Sequence, residues 1–183
     1  NLILGDGRDT VIGDNSATDN VINGGNNAAD EYDLSGALTG LAVTVGVSDI
    51  TVRGTGTVVG TDTLTNIEII DTGEYNDTVT GARNGITINA GDNGTATDTD
   101  TIDLSDATLA VGANGYTIDL AHTTGFVRNQ EGTVRQELRY FENAVGTANN
   151  DTFLGNDGNN VLTGGLGVDL IDYSSIGNAL SVN

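Results

Sequence analysis

Cysteine, proline, methionine, tryptophan and lysine are all missing from this 183-residue chain. The lack of cysteine excludes a disulfide framework and any thiolate metal site. Arginine supplies all 6 basic residues, against 26 acidic ones, for a formal net charge of -20. Such a chain lacks the basic surface that nucleic acid and anionic membranes require, so neither is an expected partner. Aromatic residues make up only 4%, too few for a conventional globular core. No apolar run is long enough for a membrane span, and no signal-peptide pattern is visible, so membrane insertion is not expected. The first residue is Asn1, and the true N-terminus is expected to lie upstream.

What is present is equally skewed. Glycine contributes 27 residues, and among the acids 20 are Asp and 6 are Glu. Asp is the shorter carboxylate, able to bind its own local backbone in a turn. Excess negative charge opposes compaction unless counter-ions neutralise it, so the natural partners are cations. A chain without disulfides needs another staple, and a bound metal is one candidate. Hydrophobic residues still reach 37%, mostly Val, Ile, Leu and Ala, which suits thin stacked strands better than disorder.

Two repeat periods organise the chain. Residues 146–154 read GTANNDTFL, 155–163 GNDGNNVLT and 164–172 GGLGVDLID. Asp151, Asn160 and Asp169 recur every nine residues, each followed two residues later by an apolar side chain: Phe153, Leu162 and Ile171. Near the N-terminus Gly5, Gly7, Asp9 and Val11 match one copy, and Asp19–Val21 and Asp30–Tyr32 continue it at ten and eleven residues. Asp77 and Val79 begin a weaker middle block that runs to an acidic cluster of Asp92, Asp98 and Asp100. The longer period shows in DEYDLS at 30–35, DTIDLS at 100–105 and DLIDYS at 169–174, which lie 70 and 69 residues apart. Leu64, Ile67, Glu68 and Asp77 are echoed 74 residues later by Leu138, Phe141, Glu142 and Asp151.

The nine-residue unit, G-G-x-G-x-D-x-U-x with U apolar, resembles the calcium-binding nonapeptide repeat of the RTX family. The copy with Gly164, Gly165, Gly167, Asp169 and Ile171 matches every fixed position. The resemblance implies an all-β fold, a parallel β-roll or β-solenoid with calcium-binding Gly/Asp turns. Each nine residues would make one turn and one short strand, and two units one full coil. Glycine lets the backbone bend so that carbonyls point to one place. Asp adds a hard anionic oxygen, and calcium takes six to eight such oxygens.

In the resembled family an ion is shared by turns n and n+2. Carried over, Asp151 would share ions with Gly164, Gly165, Gly167 and Asp169, the glycines acting through their carbonyls. Gly5, Gly7 and Asp9 would pair with Gly24, Gly25 and Asp30. Asp19, Asp77, Asp100, Asp157 and Asn160 occupy the remaining candidate positions, and Asn160 stands where the pattern has Asp. The same residue types favour any tight turn, metal or not.

The blocks divide the chain into turn-rich stretches at 1–35, 77–105 and 146–174, strand-rich stretches at 36–76 and 106–145, and the start of a further unit at 175–183. Leu41, Val43, Val45 and Val47 alternate onto one face, as do Ile86 and Ile88, and Tyr116, Ile118 and Leu120, so these read as strands. Residues 134–145 carry a short helical pattern, but the β-branched echo at 62–70 favours strand or irregular coil for both. These stretches are expected to form wider coils with loops projecting sideways.

No catalytic constellation stands out. His122, the single histidine, sits in no nucleophile pattern, and no carboxylate pair is singled out for acid–base work. Arg135 and Arg139 lie four apart, within reach of an anion or of neighbouring acids such as Glu137 and Glu142. The Asn-x-Thr triplets at Asn76, Asn93 and Asn150 fit a glycosylation pattern, two of them explained by the repeat itself. The expectation is a non-enzymatic, calcium-folded repeat segment of a secreted bacterial surface or extracellular structural protein: an adhesin stalk, surface layer or filament. Its expected place is outside the cell or at its surface, with self-association into a larger array. The alternative is an accessory module of a secreted, polysaccharide-modifying enzyme. Fold alone does not choose between them.

Overall fold

The computed structural model describes residues 1–13, 18–26, 29–56, 60–91, 98–107, 114–121 and 123–177. His122, Asp92 and Asn93 lie outside the described residues. All regular structure among the described residues is β, and no helix there is long and apolar enough to cross a membrane. Residues 134–145 hold two strands, Arg135–Arg139 and Asn143–Val145, and no helix.

The strands, in chain order, are β1 (Leu2–Ile3), β2 (Thr10–Ile12), β3 (Val21–Asn23), β4 (Glu31–Asp33), β5 (Leu41–Val45) and β6 (Ile50–Gly54). Then come β7 (Thr61–Thr65), β8 (Ile69–Asp71), β9 (Thr78–Thr80), β10 (Thr87–Asn89), β11 (Thr101–Asp103) and β12 (Tyr116–Asp119). The last six are β13 (Gly125–Asn129), β14 (Arg135–Arg139), β15 (Asn143–Val145), β16 (Thr152–Leu154), β17 (Leu162–Thr163) and β18 (Leu170–Asp172).

They form two nine-stranded sheets. The first has the order β1-β3-β7-β6-β5-β9-β11-β15-β17, and the second, from the same end, β2-β4-β8-β10-β14-β13-β12-β16-β18. Outside two segments, consecutive strands fall in opposite sheets. Parallel neighbours are then two strands apart in sequence: β2 and β4 pair with Thr10 opposite Glu31, and β16 and β18 with Thr152 opposite Leu170.

The expectation of purely parallel sheets needs correction. In two places three successive strands remain in one sheet as an antiparallel meander: β5-β6-β7 in the first sheet and β12-β13-β14 in the second. They are not wider coils with lateral loops. A three-strand meander returns its outer strands to the same direction. Each flank can therefore accept a parallel neighbour, β3 and β9 for the first meander, β10 and β16 for the second.

The core follows from period two. Short strands place one residue inward: Tyr32, Ile70, Ile88, Ile118 and Phe153 from the second sheet, and Leu64, Val79, Ile102 and Ala144 from the first, all buried. Together they belong to a single hydrophobic cluster built from both sheets. Each fully buried Ile or Phe contributes roughly 1.5–3 kcal/mol. At the sheet edges the same positions open to solvent, and Ile171 on β18 is 51% exposed.

The turns after β4, β11 and β18 are copies of one device. Asp33, Asp103 and Asp172 each accept through Oδ1 the backbone N–H of Ser35, Ser105 and Ser174, at 2.9, 2.8 and 2.7 Å. These Asp-turns use the Asp's side chain to mimic a backbone turn. They account for the second Asp of the DEYDLS, DTIDLS and DLIDYS motifs.

Candidate functional site

An acidic residue stands immediately before nine of the strands: Asp49 before β6, and, each followed two positions later by an apolar residue, Asp9, Asp30, Glu68, Asp77, Asp100, Glu142, Asp151 and Asp169. The apolar residue two positions later points into the core, so strand alternation fixes the carboxylate at the coil's margin. There every one of these eight carboxylates except Asp9 accepts a backbone N–H from the start of a neighbouring strand. Asp9 N–H donates to Asp30 Oδ1 at 2.9 Å, and Asp30 N–H to Glu68 Oε2 at 3.0 Å. Asp77 N–H donates to Asp100 Oδ1 at 2.7 Å, and Asp100 N–H to Glu142 Oε2 at 2.8 Å. Asp151 N–H donates to Asp169 Oδ1 at 2.9 Å. The meanders join these ladders through Leu41 N–H to Asp77 Oδ1 and Tyr116 N–H to Asp151 Oδ1, both 2.6 Å. A hydrogen bond to an ionised group contributes about 1.5–3 kcal/mol.

Stacked carboxylates also oppose one another. Burial, ahead of all other causes, raises Asp77 to about 7, against the Leu41 amide and nearby Thr72 hydroxyl that favour its ionised form. Burial likewise raises Asp100 to about 9, with the charges of Asp77, Glu142 and Asp98 adding to the rise. Asp9 Oδ2, Asp77 Oδ2 and Asp98 Oδ2 are buried with no donor in hydrogen-bonding geometry. Buried oxygens without donors are costly, and a cation would relieve them.

Glycines let the turns stack closely. A Cβ on Gly165 (φ 97°) would lie 2.0 Å from Thr147 O, and one on Gly167 2.6 Å from Asn149 O. A Cβ on Gly146 would meet Asp151 Oδ2 and Gly164 O, each at 2.6 Å. A Cβ on Gly25 would lie 2.2 Å from Gly5 O, and one on Gly24 2.7 Å from Asp30 Oδ2. The turn at 146–151 therefore lies against that at 164–169, and the turn at 5–9 against that at 24–30, in the register of the parallel pairs. Backbone carbonyls and carboxylates border both turns, and these are oxygens of the hard type that calcium takes.

The remaining candidates scatter. Asp77 and Asp100 are neighbours in one ladder. Asp19 is elsewhere, its Oδ1 accepting Thr61 N–H at 2.8 Å. Asp157 is exposed. Asn160 donates to Glu142 O and Asn156 Oδ1, both at 2.9 Å, and works as a clasp between coils. Gly7 (φ 134°) has open space where a Cβ would stand. Among the described residues no three His, Cys, Asp or Glu side chains gather as a metal-binding group. Any ion in these turns must therefore draw on backbone carbonyls as well as one or two carboxylates.

Glu68 and Glu142 escaped the nonapeptide pattern because they are Glu and lack its glycines. Their signal was the apolar residue two positions on, Ile70 and Ala144. Asp62 was also missed. It is buried, accepts both the N–H and Nδ2 of Asn20 at 2.9 Å, and receives the Tyr32 hydroxyl.

Asn76 and Asn150, the described glycosylation candidates, use their side-chain oxygens to accept Thr99 N–H and Val168 N–H at 2.9 and 2.8 Å. No protein-family model matches the chain, and no curated protein matches it either.

Proposed function

We propose that this chain is a calcium-binding repeat segment of a secreted bacterial surface or extracellular structural protein, non-catalytic and folding when it binds calcium. In this reading the alternation of strands between two sheets is a β-roll, a solenoid interrupted by two meanders. The observation that carries it is the row of carboxylates before the strands, each one coil from the next, beside glycine turns whose carbonyls face the adjacent turn. Asp151, Gly164, Gly165, Gly167 and Asp169 would hold one group of ions. Gly5, Gly24, Gly25 and Asp30 would hold another, with Asp9. Asp77 and Asp100 would form a third, buried place for a cation.

Without calcium the acidic chain repels itself and stays extended, a state suited to export through a narrow channel. Outside the cell, calcium at about 10⁻³ M reaches the range of modest-affinity extracellular sites. Binding free energy then becomes folding free energy. Circular dichroism in EDTA followed by calcium titration tests this. The expected result is a weakly structured chain that gains β signal with calcium, and an unchanged β spectrum throughout would count against it. Asp169→Ala is expected to raise the calcium midpoint more than Asp106→Ala, which alters an exposed turn residue.

A further inference from the structure

On the outer face of the second sheet acids and arginines cluster on different strands, except that Glu137 lies between Arg135 and Arg139 on β14. On β4 and β8, Glu31, Asp33 and Asp71 lie on the outward side, flanking the inward Tyr32 and Ile70. Asp33 is directly opposite Asp71 in register. Burial raises the Asp71 carboxyl above its ordinary value, and the charges of Asp33 and Glu31 raise it further. On β13 and β14, Arg128, Arg135 and Arg139 point outward and are exposed. Half of the chain's six arginines therefore occupy two adjacent strands.

Only β10 stands between the acidic and basic groups, with Asn89 opposite Asp71 on one side and Arg139 on the other. Two strand steps place them roughly 10 Å apart.

The acidic side chains have neutral partners, Ser35 N–H on Asp33 and Asn89 Nδ2 on Asp71, each at 2.9 Å, and Glu31 lies 4.0 Å from Arg8, but none pairs with the arginines of β13 and β14. Arg128 and Arg135 face each other directly across β13 and β14, a like-charge pairing that disfavours the sheet. Both guanidiniums cover the Phe126 ring, at 5.3 and 4.7 Å from its centroid. Arg8 and Glu31 form an ion pair at 4.0 Å, and among the described residues none joins Arg135 or Arg139 to Glu137.

The first meander shows that the scaffold does not require this surface. There Arg53 is opposite Thr61, and Thr51 opposite Thr63, where the second meander has Arg128 opposite Arg135 and Phe126 opposite Glu137. The strand geometry is the same, and the surface is largely Thr.

We propose that the outer face of the second sheet is a self-complementary docking surface, on which a second copy of this chain binds by a two-fold axis. The acidic strands of each copy then lie over the basic strands of the other. A two-fold interface uses the same patch on both partners, and a patch with one acidic and one basic half satisfies itself twice. Nine strands span roughly 40 Å, and strands of three to five residues are about 10–17 Å long. The face is thus about 400–650 Å² per partner, below the ~800 Å² of a standard stable interface, and a weak, salt-sensitive dimer is expected. The inference rests on strand register and charge, independently of any metal.

Sedimentation equilibrium of the full chain at about 100 µM in calcium-containing buffer tests it. The wild type is expected to dimerise at low salt, with a dissociation constant at least about tenfold weaker in 0.5 M NaCl. Arg135→Glu/Arg139→Glu and Glu31→Arg/Asp71→Arg should each be monomeric alone, and their equimolar mixture should dimerise. Should either fail to fold by circular dichroism, Arg135→Thr/Arg139→Thr, which restores the first meander's residues, should weaken the dimer by the same tenfold or more. A monomeric wild type at low salt, a variant that dimerises as the wild type does, or a mixture that stays monomeric would overturn the proposal. Binding of a polyuronate to a monomeric wild type, lost in the Arg135→Glu/Arg139→Glu variant, would also overturn it and identify a polyanion as the occupant.

Discussion

The block at 146–174 and the block at 77–105 use the same carboxylate ladder to opposite degrees. The first has the tight glycine turns and matches the nonapeptide best, yet it ends at an open sheet edge where Leu170 and Ile171 are 57% and 51% exposed. The second matches poorly, yet its Asp77 and Asp100 are each 1% exposed, and its strands β9 and β11 have neighbours on both sides. Motif fidelity therefore reports turn geometry, whereas depth comes from how many coils lie on either side. The fully matched turn stacks its glycines closely on carbonyls. The poorly matched one buries two carboxyl groups, Asp77 and Asp100, whose ionisation burial opposes.

Substitution of the equivalent inward residues should give the largest contrast. Ile102→Ala, in the middle block, is expected to cost about 2–5 kcal/mol by cavity formation. Ile171→Ala, half exposed at the edge, should cost under about 1 kcal/mol. Denaturant unfolding in calcium measures both, and equal losses would mean that the edge is covered in solution.

The turns can be separated next. Gly165→Ala must place a Cβ 2.0 Å from Thr147 O at φ 97°, and is expected to lose about 1–3 kcal/mol. At Gly5 nothing lies within 4 Å, and Gly5→Ala should change stability by no more than about 0.5 kcal/mol. Thermal unfolding of the two variants side by side decides whether close stacking or glycine content matters.

A third contrast belongs to pH. Asp77 and Asp100 titrate in the folded chain at about 7 and about 9, above the ordinary Asp value of 3.8. The folded chain thus holds more protons than the unfolded one in this window. Their stabilising contribution is full below 3.8 and is lost as pH rises through about 7 and then about 9. Whatever structure persists in EDTA should therefore melt at progressively lower temperature as pH rises across that window. Asp100→Asn keeps an acceptor for the Asp77 N–H without the charge, and should flatten the upper part of the fall. An unaltered profile would assign the dependence to other groups.

Much of this organisation was legible in residue order. The apolar residue two positions after Asp9, Asp30, Asp77, Asp100, Asp151 and Asp169 locates the strands β2, β4, β9, β11, β16 and β18. The alternations at 41–45 and 116–120 likewise mark β5 and β12, whereas Val47, expected on the same face, lies past β5 and is 96% exposed. Glu68 and Glu142 showed only in the 74-residue echo, because a longer carboxylate in a glycine-poor turn departs from the nonapeptide while capping a strand's N–H as the Asp residues do. The meanders were hidden because alternation reports which side chains face inward and not the direction of the neighbouring strand.

The long period shows the same division. DEYDLS, DTIDLS and DLIDYS predict equivalent structures, and β4, β11 and β18 with their Asp–Ser turns are equivalent locally. Their sheets alternate, however: second, first, second. Between successive copies the chain crosses from sheet to sheet five times, an odd number, so each unit is carried to the opposite side.

Residue order alone determined the local pieces: where strands start, which side chain turns inward, and which Asp closes a turn. These depend on steric periodicity and on hydrogen bonds a few residues long. Only the tertiary structure decided which coils became neighbours, and hence which carboxylates were buried and which arginines were brought face to face. Those outcomes depend on contacts tens of residues apart, whose register is set by the packing of the whole stack.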